Sequence, residues 1–213
     1  MLEVFLAALV TFFVVIDPPG VTPMFATLTQ DMPPAMRQRM AWKSVAIASG
    51  ILFGFAFGGG WVLEKLHVSL DAFRIAGGLL LFLIALDMLF ETRTQRREAR
   101  NEKVLEERRA HPGEHEDISV FPLAIPLIAG PGSIASIMLL FAQHEDWTLR
   151  GAVLAGAIVN LALTLVVFLI AARVSQLMSA TLAAIVTKVF GILLAALAAQ
   201  FTIDGIKSAF SLV

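Results

Sequence analysis

The stretch "FFVVIDPPGVTP", residues 12–23, decides the fold because it places an aspartate, two prolines and a glycine inside an apolar run. The run extends from about residue 4 to residue 28, which is enough for a membrane span, since a spanning helix needs about 20 apolar residues. Proline has no N–H group and breaks a helix in its interior. The stretch therefore predicts a span made of two helices, with a break near its centre.

The composition indicates an integral membrane protein. Of the 213 residues, 58% are hydrophobic and 15% are charged, whereas soluble domains are about 45–50% apolar and about 25% charged. The net charge of −1 gives no indication of a nucleic-acid partner, and the absence of cysteine excludes disulfides and thiol chemistry. The first apolar run lacks the basic start of a signal peptide, so we expect it to remain as a helix.

Six spans are predicted, and the chain is expected to form one membrane domain over residues 1–213. The spans cover residues 4–28, 44–63, 71–90, 119–142, 151–172 and 187–210. Only the link 91–118 is long. It is dense in charges of both signs, and the spacing of Lys103 and Glu107 predicts a short solvated helix there. Lysine and arginine are concentrated in the first, third and fifth links, which places these links in the cytoplasm and both termini outside.

A second break is predicted in the fourth span, which reads "PLAIPLIAGPGSIASIM" over residues 122–138. The Pro-Gly pair at 19–20 recurs at 131–132, and Gly77 in the third span corresponds to Gly191 in the sixth. The chain thus divides into halves 1–90 and 119–213, with the charged cytoplasmic loop 91–118 between them. Three spans in each half make the repeat inverted. The predicted fold is all-α: a polytopic membrane protein with six transmembrane helices as a 3+3 inverted repeat, helices 1 and 4 being broken.

The breaks have a defined chemistry. The prolines of the first break remove the helical donors of the Val14 and Val15 carbonyls. Asp17 occupies an N-cap position before the restarted helix, and Gly20 and Val21 are expected to be its first free N–H donors. In the second break, Pro126 and Pro131 free the carbonyls of Pro122 and Leu127. Gly130 can cap the new helix, and Gly132, Ser133 and Ile134 are expected to offer donors at its start.

Free backbone groups at both breaks predict a binding site. Helix N-termini attract carboxylates, and freed carbonyls attract ammonium groups or cations, so the two together suit a small zwitterion. The alternative is a pair of proline kinks, satisfied by neighbouring helices or water. Asp17 is likewise open to two interpretations, a structural cap or a proton-carrying group.

Other polar residues are weaker candidates. Asn160 lies in the middle of the fifth span and either belongs to a packing face of small residues or points into the cavity. Thr22, Ser136 and Gln200 are candidates for lining the cavity. Asp87 is interpreted as an interfacial carboxylate.

Two further patterns favour ordinary structural roles. Gly50, Gly54 and Gly58 form a stripe in the second span that is typical of close helix packing. His111 and His115 lie in a hydrophilic loop and are not assigned to a metal site. No nucleophile–base pair, phosphate-binding loop or zinc-ligand spacing appears, so neither an enzyme nor a cofactor is predicted.

Three motifs resemble the MarC family of bacterial and archaeal inner-membrane proteins: "FVVIDPPGVTPMF", "RIAGGLLLFLIALDML" and "PLAIPLIAGPGSIASIM". The resemblance covers essentially the whole chain. A branch of that family, the SnatA-like proteins, transports small neutral amino acids such as glycine and alanine. The resemblance therefore implies secondary amino acid transport across a bacterial or archaeal cytoplasmic membrane, with the site at the Asp17–Thr22 and Gly130–Ser133 breaks.

The functional hypothesis is a secondary active transporter of small neutral amino acids. Its coupling is expected to use protons rather than sodium, with Asp17 as the proton carrier. The partners are then the substrate, protons and the lipid bilayer, with no nucleic acid; the oligomeric state is left open. A passive channel or facilitator, a drug or metabolite exporter, and a non-transporting membrane scaffold are the alternatives.

Overall fold

A computed structural model describes residues 1–30, 32–90, 117–173 and 180–210, and every regular element in these ranges is helical. The helices are α1 (Leu2–Ile16), α2 (Pro18–Thr29), α3 (Pro34–Lys65), α4 (Leu70–Leu89), α5 (Pro131–Ala142), α6 (Trp147–Arg173) and α7 (Ala180–Ala209). An irregular helical stretch, Ser119–Ile128, precedes α5, and we call it the proline segment. The all-α, polytopic fold is confirmed.

The described helices contain five to six candidate spans, against the six predicted. Five helical stretches are long and apolar enough to cross a membrane, and the first of them, Leu2–Thr29, comprises α1 and α2. The proline segment and α5 provide a sixth span if they cross together, with a bend of 55° between them. Helices α3 and α6 begin before the predicted spans, because their first turns carry polar residues such as Arg37 and Arg150 that lie outside the apolar run. Helix α7 also begins earlier than predicted, at Ala180 rather than at residue 187.

Both predicted breaks are present. Helix α1 ends at Ile16, Asp17 has a left-handed backbone with φ 57° and ψ 61°, and α2 begins at Pro18. In the proline segment, Phe121 and Ile125 have extended backbones, and each precedes a cis peptide bond to proline. The proline segment ends shortly before Pro131, where α5 begins.

The two halves of the chain pack mainly on each other. Helix α4 packs along α7, α1 and α2 pack on α6, and α3 packs on the proline segment, α5 and α6. Apart from α5 against α6, every extensive helix contact in the described ranges joins residues 1–90 to residues 117–210. Phe25 of α2, for example, stacks on Phe168 of α6 with ring centroids 4.3 Å apart. The core therefore lies between the halves.

The glycine stripe of α3 does not pack within the chain, so that prediction is wrong for the described contacts. A Cβ atom at Gly50, Gly54 or Gly58 would meet nothing within 4 Å. The reason is that α3 buries its opposite face, through residues such as Leu52 and Ala56.

An ion pair ties α3 to the start of the proline segment. Lys43 pairs with Asp117, whose carboxylate also accepts hydrogen bonds from the N–H and hydroxyl of Ser119. The hydrogen bond from Lys43 is the main cause that lowers the pKa of Asp117 below its ordinary value. The predicted solvated helix around Lys103 and Glu107, and the histidines 111 and 115, lie outside the described residues.

Candidate functional site

Asp17 forms the first break. Its backbone adopts the left-handed conformation, which aspartate tolerates better than most residues, and its side chain is completely buried. The carboxylate accepts a hydrogen bond from the N–H of Gly20 at 3.2 Å. The hydroxyl of Thr187, on α7, lies 3.3 Å from each carboxylate oxygen. The prediction that Asp17 caps α2 is confirmed.

The N-terminus of α2 has no free donor, which corrects the sequence-based expectation for Gly20 and Val21. The N–H of Gly20 is bonded to the Asp17 carboxylate, and the N–H of Val21 donates to the Asp17 carbonyl at 3.0 Å. Pro18 and Pro19 have no N–H to offer. The hydroxyl of Thr22 is also used within its own helix, donating to the Pro18 carbonyl at 2.6 Å.

Carbonyl and carboxylate oxygens, rather than N–H donors, border the first break. The helical donors for the carbonyls of Val14 and Val15 would be Pro18 and Pro19, which have no N–H. Both valines are buried. The carbonyl end of α1 and the carboxylate of Asp17 therefore give this break a negative character.

The second break has the opposite character. Gly130 has an extended backbone and precedes α5 without any side-chain cap. Ile134 is the first residue of α5 whose N–H is bonded: it donates to the Gly130 carbonyl at 3.0 Å. The prediction of a free donor at Ile134 is therefore wrong, because the first turn of α5 uses it. The N–H groups of Gly132 and Ser133 make no hydrogen bond within the described part of the chain, although both residues are buried.

Some carbonyl groups at the second break accept hydrogen bonds from neighbouring residues of the same segment. The hydroxyl of Ser133 donates to the Ile128 carbonyl at 2.8 Å, and the N–H of Ala129 donates to the Ala124 carbonyl at 2.9 Å. Leu127, whose helical donor would be Pro131, is buried in the core. What this break presents is therefore mainly the positive end of α5.

The two breaks adjoin one another. A Cβ atom built on Gly132 would lie 3.0 Å from a methyl of Val15, the residue next but one before Asp17. The same position is 2.8 Å from Ile84 and 3.4 Å from Leu81, both on α4. The carbonyl end of α1 and the N-terminus of α5 thus lie beside each other, with aliphatic side chains filling the space next to Gly132.

Asn160 contacts the same helix as the first break. Its side-chain Nδ2 donates to the Leu9 carbonyl of α1 at 2.7 Å, and one turn earlier Gly156 packs closely on Ala8. The amide oxygen Oδ1 is buried and has no partner within the described residues. Asn160 therefore belongs to the packing face between α6 and α1, and also directs an unused acceptor into the bundle.

The sequence analysis gave little or no indication of two polar residues near the breaks. Ser136 was only one of several cavity candidates, yet its hydroxyl is buried without a partner in the described ranges. Thr187 was not identified at all, because a single threonine in an apolar helix gives no sign of a contact with Asp17, which is 170 residues away in sequence. Gln200, the other candidate, bonds to Asp204 at an exposed position.

Comparison with known proteins identifies the family that the sequence motifs resemble. The family model for MarC family integral membrane proteins matches residues 2–210. A UPF0056 membrane protein of Methanocaldococcus jannaschii is 36% identical over 208 residues, covering 98% of each chain. The UPF0056 membrane protein YvbG of Bacillus subtilis is 32% identical over 201 residues, covering 94% of this chain and 93% of the relative. No solved structure shows a significant match.

Proposed function

This chain belongs to the MarC family of integral membrane proteins, and we propose that it is a secondary active transporter of small neutral amino acids such as glycine and alanine. Its substrate site lies between the two helix breaks, near the middle of the bundle. The membrane is the cytoplasmic membrane of a bacterium or archaeon, with both termini outside.

One observation supports the proposal: the uncapped N-terminus of α5 lies beside the carbonyl end of α1, an arrangement that would suit a zwitterion. The first break has all its helix-start donors occupied by Asp17, and it is bordered by the carbonyl end of α1 and the Asp17 carboxylate. The second break has no side-chain cap and presents the N–H groups of Gly132 and Ser133. An amino acid carboxylate would bind these N–H groups, and its ammonium would face the carbonyl end of α1 and Asp17.

The surroundings favour a small substrate. Val15, Leu81 and Ile84 surround Gly132 so closely that even a methyl group on that glycine would require them to shift. A ligand enters only when these side chains move aside, and a substrate with a large side chain would need a larger rearrangement. Glycine and alanine require the least.

Asp17 is proposed to couple transport to protons. It is a buried carboxylate at the proposed site, and α2 and α5 contain no charged residue. Its carboxylate contacts both the start of α2 and, through Thr187, helix α7. A change in its protonation would therefore act on two helices at once, which is the property that a coupling group needs.

Uptake by proteoliposomes tests the proposal. We expect labelled glycine and alanine to accumulate against their concentration gradient when a pH gradient is imposed, and not when a sodium gradient replaces it. Replacing Gly132 with leucine should abolish uptake, whereas Gly54→Leu, at a position where a Cβ meets nothing within 4 Å, should not.

Other outcomes would identify the alternatives. Flux that never exceeds equilibrium would indicate a passive facilitator. Absence of uptake for every neutral amino acid under either gradient would contradict the proposal and leave a scaffold or an exporter of other compounds.

A further inference from the structure

Hydroxyl groups in the described helices generally bond to their own helix. They donate to the carbonyl four residues earlier, as in Thr11, Thr22, Thr27, Thr29, Ser49, Thr164 and Thr202. Ser136 of α5 is different. Its side chain is completely buried, yet its hydroxyl makes no hydrogen bond in the described part of the chain.

This exception has a cost that the fold does not require. A buried hydroxyl without a partner loses its hydrogen bonds to water. Rotation about one side-chain bond would direct the Ser136 hydroxyl to the carbonyl of Gly132, in the manner of the other helices. The unpaired hydroxyl is therefore available to something other than its own helix.

Its position points to the proposed site. Ser136 lies one turn after Gly132, so the two residues share a face of α5. Side chains in a helix lean towards its N-terminus, which directs Ser136 back over the turn that contains Gly132. Gly132 in that turn has no side chain of its own, so a ligand can reach the turn once Val15, Leu81 and Ile84 move aside, and the turn carries the two unpaired N–H groups.

We infer that Ser136 is a substrate-binding residue, whose hydroxyl donates a hydrogen bond to the carboxylate of the bound amino acid. This inference rests on the proposed function and adds a side-chain donor to the backbone donors of Gly132 and Ser133. The carboxylate thus binds along one face of α5 rather than only at its end.

The test compares Ser136→Ala with a matched control, Ser44→Ala. Ser44 is equally buried, but its hydroxyl donates to the Ala41 carbonyl at 3.0 Å. In proteoliposomes, Ser136→Ala should raise the KM for glycine and alanine by at least about tenfold, the usual effect of losing a hydrogen bond to a charged group. Ser44→Ala should leave the KM within about twofold of the parent protein.

Thermal stability in detergent provides a second readout. A purely structural role of Ser136 predicts a lower Tm for Ser136→Ala, whereas a substrate-binding role does not. Ser136→Ala removes an unsatisfied polar group and should be at least as stable as the parent protein without substrate. It should lose most of the stabilisation that saturating alanine gives to the parent. A drop in Tm without substrate, with the alanine effect retained, would assign Ser136 to packing.

A cysteine variant keeps the test decisive if Ser136→Ala does not fold. The chain has no cysteine, so Ser136→Cys introduces a single thiol of similar size. We expect a small methanethiosulfonate reagent to label it, and alanine to slow the labelling. No labelling, or labelling that alanine does not slow, would overturn the inference.

The outcomes separate this inference from the proposed function. If the parent protein takes up glycine and alanine but Ser136→Ala has the same KM, the inference alone is wrong. If the parent protein takes up neither, both are wrong.

Discussion

Asp17 and Gly130 give the two breaks their opposite characters. Asp17 adopts a left-handed backbone, and its carboxylate bonds to the N–H of Gly20, so the donors at the start of α2 are used up. Gly130 occupies the corresponding cap position before α5 but has no side chain to do the same. One residue at each break therefore decides whether that break presents acceptors or donors.

Asp17→Asn separates the structural role of Asp17 from its proposed coupling role. Asparagine tolerates the left-handed backbone and is an equally good N-cap, so the variant should fold with a Tm close to that of the parent. Because it cannot carry a proton, it should lose accumulation driven by a pH gradient and keep exchange of labelled for unlabelled alanine.

Asp17→Ala is the matched control for the capping role. It removes the cap, which contributes about 0.5–2 kcal/mol in other helices, and should lower the Tm. Accumulation by Asp17→Asn at the parental level would show that Asp17 is only a cap.

At the residue scale, the local sequence was sufficient to predict the cap but not every contact of Asp17. An N-cap side chain accepts from the second or third residue of the helix, and Pro19 has no N–H. The Asp-Pro-Pro-Gly motif therefore already implied the bond to the Gly20 N–H, which the expectation of a free Gly20 donor overlooked. The Thr187 contact depends on tertiary packing, which no local pattern reveals.

Among the elements, the contact between α4 and α7 depends on glycines. Adjacent glycines of α4 meet different surroundings. A Cβ on Gly78 would meet the Thr202 hydroxyl and lie 2.8 Å from the backbone of both Ala198 and Thr202. A Cβ on Gly77 would have its one contact under 3 Å with the end of the Leu139 side chain, at 2.8 Å. Backbone atoms cannot move without shifting α7, but a leucine side chain can adopt another rotamer.

We therefore predict that Gly78→Ala destabilises the protein more than Gly77→Ala. Overpacking against rigid neighbours typically costs about 1–3 kcal/mol, so Gly78→Ala should clearly lower the Tm in detergent. Gly77→Ala, its matched control, should have a smaller effect. Equal shifts in Tm for the two variants would show that α4 and α7 are not held together at Gly78.

Element boundaries were predictable only for the apolar parts of the helices. The two breaks were placed correctly because proline and glycine act locally. The start of α3 was not placed correctly, because its first turns are polar but still helical. The stripe of Gly50, Gly54 and Gly58 had the right pattern for packing, but periodicity alone does not show which face of a helix meets a partner.

At the scale of the whole molecule, the halves are interlocked. The contacts are reciprocal: α1 of the first half packs on α6 of the second, and the proline segment of the second half packs on α3 of the first. The third helices of the halves, α4 and α7, pack on each other. Such an exchange is what a two-fold relation between halves would produce, and it supports the inverted repeat, which stays a prediction.

Interlocking has a consequence for the site. Gly132 of the second half is surrounded by Val15, Leu81 and Ile84 of the first. Asp17 of the first half is held by Thr187 of the second. The proposed site therefore forms only when both halves are assembled, and a movement between them would open or close it.

The most direct measurement of the central claim is a binding comparison of three ligands of similar size, using thermal stabilisation of the purified protein. Glycine carries both charges, glycine methyl ester lacks the carboxylate, and acetate lacks the ammonium group. If adjoining donors and acceptors at the two breaks bind a zwitterion, glycine should stabilise the protein at concentrations where the other two have no effect. Stabilisation by acetate or by the methyl ester at the same concentrations as glycine would contradict the account.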